Sequence, residues 1–225
     1  MPSLWQDMAR SGIVSVAILA NLGLSRFILE LGGTDLFGEN AILVGLLPNL
    51  LPVAFASMIV MTTVGARMAT LTALMTSIFH ATMQNAGVDV FATGFSSALI
   101  GAFFCREVRL RGSALKAGAL AGLVAAIMAV GLSLSAGSGA FVSINHAGAC
   151  LLVGVFTGAL VLGAMPIIEN GFKVATDATL FELTDYNHPL LRRMQIEAPG
   201  TYHHSLMVAN LSENAALAVG ANPIL

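Results

Sequence analysis

An all-α, polytopic membrane bundle of about six transmembrane helices is the fold class this sequence predicts, on three observations. The 225 residues are 56% hydrophobic and only 10% charged, whereas a soluble domain carries about a quarter charged residues. Mean hydropathy is +0.84. The apolar residues also fall in successive runs of membrane-crossing length, about 20 residues each, parted by loops whose Lys and Arg content alternates.

The first run, 11–31, follows Arg10, has no convincing small-x-small cleavage site and is followed by further spans, so it reads as a span and not a removable leader. Arg26 and Glu30 lie four apart on it, share a face and can pair. Both fall near the outer end, where long side chains reach the interface. The second run, 41–63, contains Pro48, Asn49 and Pro52. Proline there frees a carbonyl and kinks the rod, and a broken helix can shape a binding site near the midplane. Runs 66–85 and 88–105 follow. The fifth, 116–136, is crowded with Gly118, Ala121, Gly122, Ala125 and Ala126, which suits close helix contact. The sixth is 145–168. His80 and His146 lie near outer span ends and read as interfacial groups rather than metal ligands. Cys105 and Cys150 are isolated and at different depths, so no disulfide is expected.

Loop charge sets the orientation. Segments 32–39, 85–89 and 135–140 carry no Lys or Arg, whereas Arg106, Arg109, Arg111 and Lys116 crowd one loop, Arg67 lies in another, and Lys173, Arg192 and Arg193 follow the sixth span. Cation-rich loops stay in the cytoplasm, so both termini are expected inside. A net charge of −2 gives no electrostatic reason for a nucleic-acid polymer partner.

From Glu169 the chain turns polar. Residues 176–185 read as a short amphipathic helix with Leu180, Phe181 and Leu183 on its apolar side. His188 reads as a turn residue, and Pro189 starts a short helix over 190–194. Arg192 and Arg193 suit lipid headgroups. Pro199 and Gly200 end that segment, and Thr201 is the expected N-cap of a helix running to about Val219, with Gly220 at C′ and Pro223 beyond. Val208, Leu211, Ala215 and Ala218, with Met207, form an apolar stripe on it. His203 and His204 sit in its first turn, and adjacent residues do not easily face one ion. The expected organisation is 1–168 membrane domain, 169–196 cytoplasmic connector and 197–225 the start of a further domain.

The wording Asp185-Tyr-Asn-His-Pro-Leu-Leu-Arg-Arg193, Glu197-Ala-Pro-Gly-Thr-Tyr-His-His-Ser205 and Gly220-Ala-Asn-Pro223 closely resembles the bacterial seven-transmembrane receptors with an intracellular HD hydrolase domain. The resemblance extends over nearly the whole chain. It implies a multi-pass protein of the bacterial cytoplasmic membrane whose last segment is the first helix of an all-α HD domain. It also implies hydrolysis of a cyclic dinucleotide, cyclic di-AMP, at divalent metal ions, Mn or Fe, which activate a water for attack on phosphorus. In the His-Ser-x-x-Val wording the histidine before Ser205 and Val208 is the metal ligand, which maps to His204; His203 shapes its surroundings. The other ligands of an HD centre, including its His-Asp pair, are not in this sequence, so no catalytic set is complete and the fragment itself is expected to be inactive. Family members carry a further membrane helix and an extracytoplasmic domain upstream, and the sequence reads as truncated at both ends. Lipid and, for the complete protein, cyclic dinucleotide are the expected partners; homo-oligomerisation is left open. Two other classes compete. One is a non-catalytic membrane sensor. The other is a small-molecule transporter, suggested by the kinked second span and weakened by the lack of paired ionisable groups deep in the helices.

Overall fold

The computed structural model describes residues 2–32, 45–106, 112–172, 174, 176, 180, 186–221 and 223–224, with side chains from Met8 onward. The chain divides into two units, Met1–Val174 and Ala175–Leu225. The described residues are helical apart from turns, with no strand.

In the first unit α1 spans Pro2–Gly32, α2 Phe55–Thr63, α3 Ala66–Met83, α4 Val88–Cys105, α5 Gly112–Ser135 and α6 Ala140–Phe172. Among the described residues, Met8–Gly32 within α1, together with α4, α5 and α6, is long and apolar enough to cross a membrane. Two of the six expected spans take another form. The second is interrupted: a 3-10 turn at Leu47–Leu50 carries Pro48 as its second residue, the chain bends through Leu51–Ala54, and only then does α2 start. The start of that span, 41–44, lies outside the described residues. The third forms α3, as long as α4, but Arg67, Thr72, Thr76, Ser77 and His80 make it more polar. The sixth runs on through Pro166 to Phe172. Residues 33–44 and 107–111, and most of the helix expected over 176–185, are outside the described residues.

The short α2, about 14 Å long, is the centre of the bundle. Phe55 to Val60 are all buried, and α2 packs against α1, α3, α4 and α6. Gly65 joins it to α3 at φ +118°, a value that favours glycine. The core is built of small residues: Ala17, Ala54, Ala69, Ala73, Ala98, Ala102, Ala117 and Ala121 are buried, with Met58, Ile59 and Val161 among the few large side chains. The large apolar groups point outward instead, for example Leu19, Phe27, Phe103, Ile127, Leu152 and Ile167. A water-soluble surface would not tolerate that patch; in lipid the tails solvate it, and small residues let backbones approach.

Helices α5 and α6 meet through glycines. Gly118 and Gly122 face Gly154 and Gly158, and a methyl group built on Gly122 would stand 2.7 Å from the Cys150 carbonyl oxygen. Hydroxyls tie neighbouring helices together: Ser57 Oγ donates to the Ala98 carbonyl at 3.1 Å, Ser97 Oγ to the Ala121 carbonyl at 3.0 Å, and Ser133 Oγ to Ser143 Oγ at 2.7 Å.

In the second unit α7 spans Pro189–Glu197 and α8 Pro199–Ala218. Each starts with proline at its first position, where the missing N–H costs nothing. For α8 this corrects the expected N-cap. Ala198 takes that place and Thr201 lies inside the first turn, because Pro199 begins the new helix as well as ending the old one. Gly220 does terminate α8 at φ +70°, with Ala221 N donating to the Ala216 carbonyl and Gly220 N to the Leu217 carbonyl. His188 proves to be the N-cap of α7, its Nδ1 accepting from Leu190 N at 3.3 Å.

Candidate functional site

A seam of buried polar side chains lies between α1 and α3. Asn21 and Ser25, one turn apart on α1, are fully buried, as are Thr72, Thr76 and His80, one turn apart on α3. Asn21 Nδ2 donates to the Pro52 carbonyl at 2.8 Å. The break in the second span is thereby bridged by a side chain from the first, which supplies a partner for backbone that a proline-interrupted helix cannot pair internally. His80 is clamped at both ring nitrogens, to the Thr76 carbonyl through Nδ1 at 2.6 Å and to Ser25 Oγ through Nε2 at 2.6 Å. A carbonyl only accepts, so Nδ1 carries a proton. In the neutral ring Nε2 then accepts from Ser25, whose single hydrogen is also within reach of the Asn21 carbonyl at 2.9 Å. His80 is thus 1% exposed, covered by α1 through Ser25 rather than left at a surface.

Beside this seam is a cavity of about 310 Å³, lined by the 45–54 bend and by α3, α4, α5 and α6. Its size lies at the lower end of small-molecule sites, roughly 300–1,000 Å³. Gln84, Asp89, Ser138 and His146 line one end, close to the connections after α3 and α5; Ala121, Gly122, Gly154 and Thr157 line the other. His146 is half-buried there, so it too is a cavity wall. Gln84 Oε1 is buried with no hydrogen-bond partner among the described residues. Sequence reading missed Asn21, Ser25 and Gln84. Polar residues recurring every fourth position in apolar spans (21 and 25; 72, 76 and 80) were the available signal.

His203 and His204 lie side by side on α8, both exposed. The Tyr202 and His203 rings meet edge to face, centroids 6.1 Å apart. Among the described residues no group of three His, Cys, Asp or Glu side chains could hold a metal ion, so nothing described converges on His204. These residues do not by themselves fit a metal centre. Met207, Val208 and Leu211 on the same helix are exposed. Arg26 and Glu30 form the expected pair at 2.9 Å, with both side chains exposed.

The bundle of long apolar helices defines an α-helical, multi-spanning membrane protein. The chain belongs to the family described as the 7TM receptor with intracellular HD hydrolase, which matches it over residues 1–176. The cyclic-di-AMP phosphodiesterase PgpH of Bacillus subtilis (strain 168) is 36% identical over 186 residues, covering 78% of this chain and 26% of that protein. PgpH of Listeria monocytogenes serotype 1/2a (strain 10403S) is 40% identical over 102 residues, covering 45% of this chain and 12% of that protein. The chain therefore spans about a quarter or less of the length of these relatives. No solved structure matches it.

Proposed function

We propose that this chain is the membrane-sensing portion of a metal-dependent cyclic di-AMP phosphodiesterase, set in the bacterial cytoplasmic membrane with both termini inside. The single observation that carries the reading is the family match over 1–176, since that family joins a membrane receptor to an intracellular hydrolase; the names of the two relatives supply the substrate. In this reading 1–168 senses, 169–196 connects, and 197–225 opens the HD domain with His204 as a ligand of a divalent ion, Mn or Fe. His203 projects about 100° away on the same helix, so it cannot face the same ion.

Among its described residues the chain lacks the converging ligands a metal needs, and purified by itself it should turn over no cyclic di-AMP. In a longer protein carrying this chain and a whole HD domain, His204→Ala should abolish hydrolysis and lower the bound metal. His203→Ala should keep the metal and cost roughly 10–100-fold in activity, the scale of groups that only support a ligand. Metal analysis of the two purified variants decides the assignment, and equal metal retention in both rejects it. Metal-dependent turnover by the 225-residue chain would show that the active site lies elsewhere.

A further inference from the structure

The cavity in the membrane unit is polar at one end only. Residues of α5 between Ala121 and Ser133 line it, along about 18 Å of helix. At the inner end the hydroxyls of Ser97 and Thr157 are already spent, donating to the Ala121 and Val153 carbonyls at 3.0 and 2.7 Å. What they leave facing the space, with Ala121, Gly122 and Gly154, is small and apolar. At the outer end the opposite holds. Gln84 Oε1 is a buried acceptor with no donor among the described residues, and a buried group left unpaired is unfavourable. Asp89 adds a carboxylate to the same wall, and among the described residues no Lys or Arg lines the cavity. The unmet requirement is a hydrogen-bond donor, the local charge is negative, and the space behind is apolar.

We propose that this cavity binds a small organic ammonium: a protonated amine head held by Gln84 Oε1 and Asp89, with a short apolar body running inward along α5 and α6 toward Ala121 and Thr157. Among the described residues no Lys or Arg meets a phosphate- or carboxylate-headed ligand there, and Asp89 repels one. This assignment rests on reading the membrane unit as a sensor and supplies the class of molecule sensed.

The test uses the full chain in lipid nanodiscs, with radiolabelled hexylamine as the probe and hexanol and hexanoate as competitors. Hexylamine should bind saturably, hexanol should compete weakly, and hexanoate should not compete. Asp89→Asn should weaken hexylamine by about 10-fold, the scale of one charge-assisted hydrogen bond, and leave hexanol competition unchanged. Ala125→Phe, which fills the middle of the cavity, should abolish binding; retained helicity and elution volume show that the variant is folded. If Ala125→Phe does not fold, Asp89→Asn and Gln84→Leu decide alone. Non-saturable uptake identical in all variants would mean partition into lipid, and would overturn the proposal. So would preference for hexanoate, or hexylamine binding indifferent to Asp89→Asn. Binding is read on this chain alone, so failure of hydrolysis in the longer protein would sink the phosphodiesterase reading without touching this result, and the reverse is equally true.

Discussion

Asn21 is the residue on which the interrupted part of the bundle depends. Its amide reaches 31 positions along the chain to the Pro52 carbonyl, inside a site with no exposure to solvent. Lipid offers no replacement partner, but interhelical hydrogen bonds in membranes are worth only about 0.6 kcal/mol on average and about 1.7 at most. Truncation also empties space beneath the bend. Asn21→Ala should therefore lower the thermal midpoint of the detergent-solubilised chain by a loss of about 1–2 kcal/mol. An unchanged midpoint would show that the bend holds itself. His80 belongs to the same seam. Its imidazole joins α1 to α3 through Ser25, so a residue that looks like a polar cap from its position is a strut.

At the scale of elements, the tightest packing is the glycine contact of α5 with α6. Side chains are excluded there by backbone: a methyl on Gly158 would stand 2.7 Å from the Ala114 carbonyl oxygen, and one on Gly154 2.6 Å from Gly122 N. Backbone cannot swing aside as a flexible side chain can. Gly122→Val should separate the helices and destabilise the protein by about 1–3 kcal/mol, the usual cost of overpacking, and should also reshape the cavity wall that Gly122 forms. Gly131, on the same helix, meets nothing within 4 Å. Gly131→Ala should be neutral or stabilising by up to ~1 kcal/mol, since alanine is the better helix former. Comparing the two melting curves separates packing from propensity. If both variants melt alike, the glycine contact is not what fixes α5 against α6.

For the molecule as a whole, the testable quantity is its direction in the membrane. The connections at 85–89 and 135–140 lack Lys and Arg, and 32–39, mostly outside the described residues, lacks them too. Cysteines placed singly at Asp35, Asp89 and Gly139 should react with an impermeant thiol reagent applied to intact cells from outside. The native Cys105 and Cys150 are 0% and 4% exposed and should stay silent. Labelling of the three sites only after lysis would reverse the orientation, and with it the cytoplasmic position assigned to His204.

Features set by neighbours along the chain are legible in the sequence itself. Apolar runs of membrane length, the proline break at 48–52, the Arg26–Glu30 pair, the glycine-rich face of α5 and the Gly220 stop each depend on residues within about one or two turns. The specific wording at 185–205 carried the family, which the match over 1–176 then established. Only the tertiary structure decided what long-range packing controls. It put His80 under α1 rather than at a surface, gave the Pro52 carbonyl to Asn21, and gathered Gln84, Asp89 and His146 from three helices around one cavity. It also started α8 at Pro199, where a local rule about capping had favoured Thr201. The physical reason is common to all of these. In a bilayer the apolar runs fix which segments become helices, but large and small apolar faces are equally at home in lipid. Which faces turn inward is settled by polar groups that must find partners and by small residues that permit contact, and both are relations between distant parts of the chain.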